Sequence, residues 1–215
     1  MCDVDIGVRG AAGAALRNAG LRGGDAVYDS IVAADVMTPL ISSLGHLGTA
    51  AAATGGAGET ETEALTTLLD LLWETCESST AAVDRFNAAG GALVPVLVQL
   101  SAPPLAPAAP AIAGSAAQCL HVLSEDNPTV IEALRAGHGT LPTLHAAVAD
   151  PATPPLVAVL ACGTVLNLGA ESRPTNFEAS LVRVFGGALD LDHAGGLPEM
   201  LAKVQAAASG NLVPE

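Results

Sequence analysis

The chain has very few aromatic side chains. Its 215 residues include one tryptophan, one tyrosine and three phenylalanines, 2% in all. A core built without them must be made of Ala, Leu and Val. That suits closely packed helices better than a sandwich or barrel, which would draw on Val, Ile, Tyr and Phe. Basic residues are scarce as well: eight Lys and Arg stand against 22 Asp and Glu, a formal charge of −14. Neutralising phosphates needs Lys and Arg, so no direct nucleic-acid ligand is expected. The charge suits solubility, or attraction to a basic partner. The four cysteines, Cys2, Cys76, Cys119 and Cys162, form no CxxC and no Cys–His pairing with the spacing of a zinc site. Three of them fall within apolar helical runs and predict small buried thiols, in a reduced compartment rather than a disulfide framework.

Other features are missing altogether. The opening MCDVDIGVRG has no apolar h-region, so no secretory signal is expected. No apolar run reaches the ~18 residues of a membrane span, and the longest candidate, Pro154 to Leu168, carries Thr and Asn. A soluble intracellular chain without a membrane partner is the expectation. His46, His121, His138, His145 and His193 are scattered, with no HExxH and no His–carboxylate spacing of a metal site. GGAGET lacks the GK[ST] ending of a phosphate loop, and LDLDH at 189–193 lacks the spacing and closing Glu of an EF-hand. Ser and Cys have no predicted base nearby. No enzyme, no metal and no cofactor are expected.

What is present is a repeated word. In Leu65 to Leu100, the residues Leu65, Leu68, Leu69, Leu72, Trp73 and Cys76 recur at helical spacing. Ser78-Ser79-Thr80 offers oxygens to cap a second helix, and Gly90-Gly91 separate it from a third carrying Leu93, Val96, Leu97 and Leu100. The same order of one long and two short helices starts the chain. An Ala-rich helix spans 9–21, Asp25 caps the next with Val27, Ile31 and Val32 inward, and Thr38-Pro39 starts PLISSL. In a third copy Asn127-Pro128 caps PTVIEALRA, and a fourth starts just after Pro155. NFEASLVRVFG and LPEMLAKVQAAA are predicted helices nearer the C-terminus.

Residues 45–63, rich in Gly, Ala, Thr and Glu, predict a flexible loop ending in an acidic cluster, Glu59, Glu61 and Glu63, that reads as solvated. SAPPLAPAAP at 101–110 predicts a proline-stiffened connector. The long helices end at Asn18, Glu74, Val122 and Asn167. Apart from the first interval, lengthened by the loop, the spacing is close to the ~40–47 residues of armadillo and HEAT units.

The expected architecture is therefore all-α: a right-handed α-solenoid of about four armadillo/HEAT-like repeats over 1–195. The units lie at about 9–45, 62–101, 108–149 and 154–195, with a C-terminal helix or tail at 196–215. Terminal units of a solenoid need a polar cap. Neither end of the chain reads as one, so a piece of a longer array is expected.

The words GAALRNAGLRGGDAVYDSIVAADVMTPL, LLDLLWETCESSTAAVDRFNAAG, AQCLHVLSEDNPTVIEAL and VLACGTVLNLG resemble the armadillo/HEAT family called symportin, whose animal members are known as a HEAT repeat-containing protein. The resemblance covers roughly residues 10–190. It implies an adaptor that chaperones the two large-subunit ribosomal proteins of the 5S particle and takes them into the nucleus for 60S assembly. It also implies a transportin-class import receptor and a cytoplasmic and nuclear location. The family's basic Pro-Tyr import signal has no counterpart here, since the only tyrosine, Tyr28, is followed by Asp. The family's C-terminal HEAT units and long acidic segment have none either. A generic armadillo scaffold for other extended peptides, in signalling or classical import, is the alternative.

In armadillo folds the ends of the long helices line the concave face, where Asn residues bond the backbone of an extended peptide. Asn18 and Asn167 hold that register and are candidate clamps. Glu74 holds it too and is expected to meet a basic side chain. Trp73 and His121 fill the preceding slot, where a tryptophan face can take a cation or an aliphatic stem; the alternative for Trp73 is the core. Glu77, Glu125 and Asp126 follow at helix C-termini, where acids oppose the dipole. They either face a basic ligand or, for Glu125 and Asp126, favour the start of the next helix.

Overall fold

The computed structural model describes residues 5–89, 91–169 and 172–174, together with Ser180 and Val184. Among these residues the chain is an all-α repeat solenoid with eleven helices and no strand.

Helix α1 (Ile6–Gly23) starts on Asp5, whose carboxylate accepts the Gly7 and Val8 amides at 2.7 and 3.3 Å, a cap that satisfies free donors of the first turn. It stops at Gly24, whose φ of +66° suits glycine. Gly24 also holds the N-cap position of α2 (Asp25–Ala33). Asp25 is therefore not the cap that the sequence predicts. It is the first helical residue, where a negative charge favours the dipole. Tyr28, rather than the predicted Val27, joins Ile31 and Val32 in the core.

Helix α3 (Met37–Thr54) corrects the expected loop at 45–63. Most of that stretch is helix, and Gly48 and Ala51 are buried below Leu44. The reason is size: the inward face at i, i+4 and i+7 carries Leu44, Gly48 and Ala51, too small to register as an apolar stripe. A Cβ on Gly48 would lie 2.6 Å from Val96 Cγ1, so the glycine permits close approach of the helix carrying Val96. Thr38 is not the N-cap either; its hydroxyl donates to Asp35 Oδ1 at 3.0 Å, one residue inside the helix start. Only Gly55–Gly58 links α3 to α4 (Glu59–Ser78). The acidic cluster begins α4, Glu59 and Glu61 in its first turn and Glu63 just after, with the Glu61 carboxylate accepting the Gly58 amide at 2.9 Å.

The second unit continues with α5 (Thr80–Ala89), a 3₁₀ turn (Gly91–Leu93) and α6 (Val94–Leu100). The proline-rich connector carries a one-turn helix, α7 (Leu105–Ala108), pinned by buried Leu105 and Ala106. Then come α8 (Pro110–Ser124), α9 (Pro128–Ala136), α10 (Thr140–Ala149) and α11 (Pro155–Asn167). Asn127 caps α9 by accepting the Val130 amide at 3.4 Å, with Pro128 at the first helical position, as its sequence predicts. The helices expected at NFEASLVRVFG, apart from helical Ser180 and Val184, and at LPEMLAKVQAAA lie outside the described residues.

Long helices stack in one row, α1 on α4, α4 on α8, α8 on α11, and α3, α6 and α10 form a second row. The short helices are tied across units by paired side chains. Ser79, just before α5, donates to Asp29 of α2 at 2.6 Å, and Asn127, just before α9, donates to Asn87 of α5 at 3.0 Å. One cluster of Leu, Val, Ala and Ile runs between the rows from Val32 to Val184. Cys76, Cys119 and Cys162 are buried in it as thiols outside any disulfide. Burial pushes the Cys76 thiol up to about 12. Among the described residues no single helix is long and apolar enough to cross a membrane.

Candidate functional site

Polar side chains form a connected network along the long-helix row. Helix α1 approaches α4 closely because it presents glycine: a Cβ on Gly13 would lie 2.8 Å from Leu68 Cδ2, and one on Gly10 3.1 Å from Ala64 Cβ. One turn on, Arg17 reaches across this seam. Its Nε donates to Glu74 Oε1 at 2.9 Å, Nη2 lies 2.8 Å from the same oxygen, and Nη1 is 3.4 Å from Asp70 Oδ2. Tyr28 donates its hydroxyl to Glu74 Oε2 at 3.1 Å. Asp70 also accepts from Ser115 Oγ at 2.7 Å and from Trp73 Nε1 at 3.4 Å. Two carboxylates at i and i+4 on α4 thus join α1, α2, α4 and α8.

Glu74 is only 6% exposed. A carboxylate so buried needs a cation and hydrogen bonds in place, and Arg17 and Tyr28 supply them. The hydrogen bond from Arg17 to Glu74 raises the Arg17 pKa further. Burial, together with the Glu74 charge, pushes the Tyr28 phenol up to about 12. The basic side chain that Glu74 meets here belongs to the chain itself.

Trp73 is half-buried: it packs against the core and also lines an open groove. The groove crosses α4, α8 and α11, with Thr66, Asp70 and Trp73 on one side, Ser115 and Gln118 on the next helix, and Leu156 beyond. Thr66 Oγ1 is buried there without a hydrogen-bond partner. His121 is half-buried and wedged against α11, where a Cβ on Gly163 would lie 2.8 Å from its Nδ1. Burial lowers its pKa, against the opposing charge of Glu125.

Asn18 is exposed near the end of α1. Asn167 turns inward: its amide donates to Ser124 Oγ at 3.0 Å and to the His121 carbonyl at 3.4 Å, tying α11 to the last turn of α8. Glu77, Glu125 and Asp126 are exposed. Asp126 has φ of +48°, a left-handed conformation that Asp tolerates in turns. Arg17, Tyr28, Asp70, Ser115 and Leu156 do not follow from the helix-end register alone. Asp70 gives the clearest signal in the sequence, a lone carboxylate inside LLDLLW one turn before Glu74. Among the described residues no group of three His, Cys, Asp or Glu could hold a metal ion.

The sequence is similar to that of a mouse protein, HEAT repeat-containing protein 3, with 32% identity over 200 residues, 88% of this chain and 28% of the mouse protein. Its human counterpart is 32% identical over 180 residues, 78% of this chain and 25% of the human protein. The chain spans about a quarter of the length of these relatives. No family model and no solved structure matches it.

Proposed function

Since this chain belongs to the symportin-like family of HEAT repeat-containing protein 3, we propose that it is a binding scaffold, not an enzyme, for basic segments of the large-subunit ribosomal proteins of the 5S particle. In this reading it accompanies them between cytoplasm and nucleus during 60S assembly, and a transportin-class receptor acts on the longer family protein. The observation that carries the reading is the 32% identity across most of the chain. The formal charge of −14 and the exposed carboxylates Glu77, Glu125 and Asp126 support it. The mechanism is shielding: the acids cover a cationic segment, and Asn18 and the Trp73 face contribute along the same row, until assembly withdraws the cargo.

Calorimetric titration tests this. The chain is titrated with a basic N-terminal segment of a 5S-associated ribosomal protein and with a scrambled peptide of equal charge, each at two salt concentrations. The native segment is expected to bind at least about tenfold tighter, a difference of ~1.4 kcal/mol. Asn18→Ala combined with Glu77→Lys and Glu125→Lys should remove most of that margin. Equal binding of both peptides, lost together in high salt, would reduce the acidity to non-specific attraction and leave the chain a scaffold for some other extended peptide.

A further inference from the structure

The groove floor has little negative charge to offer a ligand. Asp70 already accepts from Ser115 and Trp73 and lies beside Arg17, and Glu74 is buried under Arg17 and Tyr28. A cationic side chain entering here would have to displace Arg17 from both carboxylates. What the floor does offer is carbon: the Trp73 ring, Leu160 and, at 62% exposure, Leu156. Glu77 stands on α4 one turn beyond Trp73, and Glu125 and Asp126 follow the end of α8, all exposed. An apolar floor with the exposed Glu77 carboxylate one turn away matches a segment of mixed apolar and basic character.

We propose that the groove between Trp73, Ser115 and Leu156 is a slot for one aliphatic side chain of an extended basic segment, with Glu77, one turn beyond Trp73 on α4, meeting a flanking Lys or Arg. The occupant is extended because the groove crosses three successive long helices rather than following one. The assignment rests on the basic-segment reading above and adds its side-chain specificity.

Trp73 is the only tryptophan, so its emission reports on the slot directly. The full chain is titrated with a short synthetic peptide carrying Lys and Arg around one central leucine, and with the same peptide carrying alanine there. The leucine peptide is expected to bind about tenfold tighter, in line with partial burial of the added methylenes, and to move the emission to shorter wavelength. Leu156→Asp should abolish the preference while leaving the helical signal unchanged, because Leu156 is exposed and near the start of α11, where an acid is tolerated. Leu156→Ala should halve it or more. If both peptides bind alike without an emission change, the slot is overturned while the basic-segment reading stands. If neither peptide binds, both fall.

Discussion

At the residue scale, Glu74 shows what a register can and cannot tell. Its place on the long-helix row is legible in the sequence, since LLWE holds the same register as ALRN, CLHV and TVLN in the other long helices. Its partner is not, because Arg17 lies 57 residues away and meets it only when α1 stacks on α4. A spacing rule says which face a side chain lies on, not what stands opposite. The pairing has a measurable cost when broken. Arg17→Met leaves a buried carboxylate without its cation and should destabilise the chain by about 2–4 kcal/mol, somewhat less than the ~3–5 kcal/mol of a fully buried pair because Arg17 is partly exposed. Urea unfolding followed by helical circular dichroism measures this. The double variant Arg17→Met with Glu74→Met should recover most of the loss, since removing both partners removes the stranded charge. A double variant no better than the single would mean that packing, not charge, dominates the seam.

Elements were legible in proportion to the size of their buried side chains. The long helix α4 presents Leu65, Leu68, Leu69 and Leu72 inward, and its periodicity is plain. The second half of α3 presents Gly48 and Ala51, whose burial matters for close packing on α6 but leaves no apolar stripe. Caps divided in the same way. Asn127-Pro128 predicts its helix correctly because both residues act locally, whereas Thr38-Pro39 fails because Asp35 takes the Thr38 hydroxyl. Asn127 also has a second duty, its bond to Asn87 of α5. Asn127→Ala should therefore cost about 1–2 kcal/mol through the lost cap and the lost tie, lowering the melting temperature by roughly 3–6 °C for a chain of this size. Asn127→Asp keeps the cap acceptor but not the donor to Asn87, and should fall between the two. A melting curve in which Asp behaves like Ala would assign the whole effect to the tie.

For the whole molecule, stability is a matter of neighbours. Each long helix in the row packs on the next, so damage should stay local. Gly13→Val drives a side chain into Leu68 at the α1–α4 seam. Hydrogen exchange should then show the amides of α1 and α2 losing protection while those of α8 and α11 keep theirs. Uniform loss across all four would mean that the described array unfolds as one cooperative body. The repeating order of helices was legible because it depends on composition within each unit. The groove was not, because its walls come from α4, α8 and α11, which meet only after stacking. The ties between short helices have a consequence for inheritance. Asp29 with Ser79 and Asn87 with Asn127 place different chemistry in comparable joints, 50 and 40 residues apart in the chain. A mutation at one position is judged by the residue at the other, so these sites can drift only as couples, and descendants of this sequence should exchange them pair by pair.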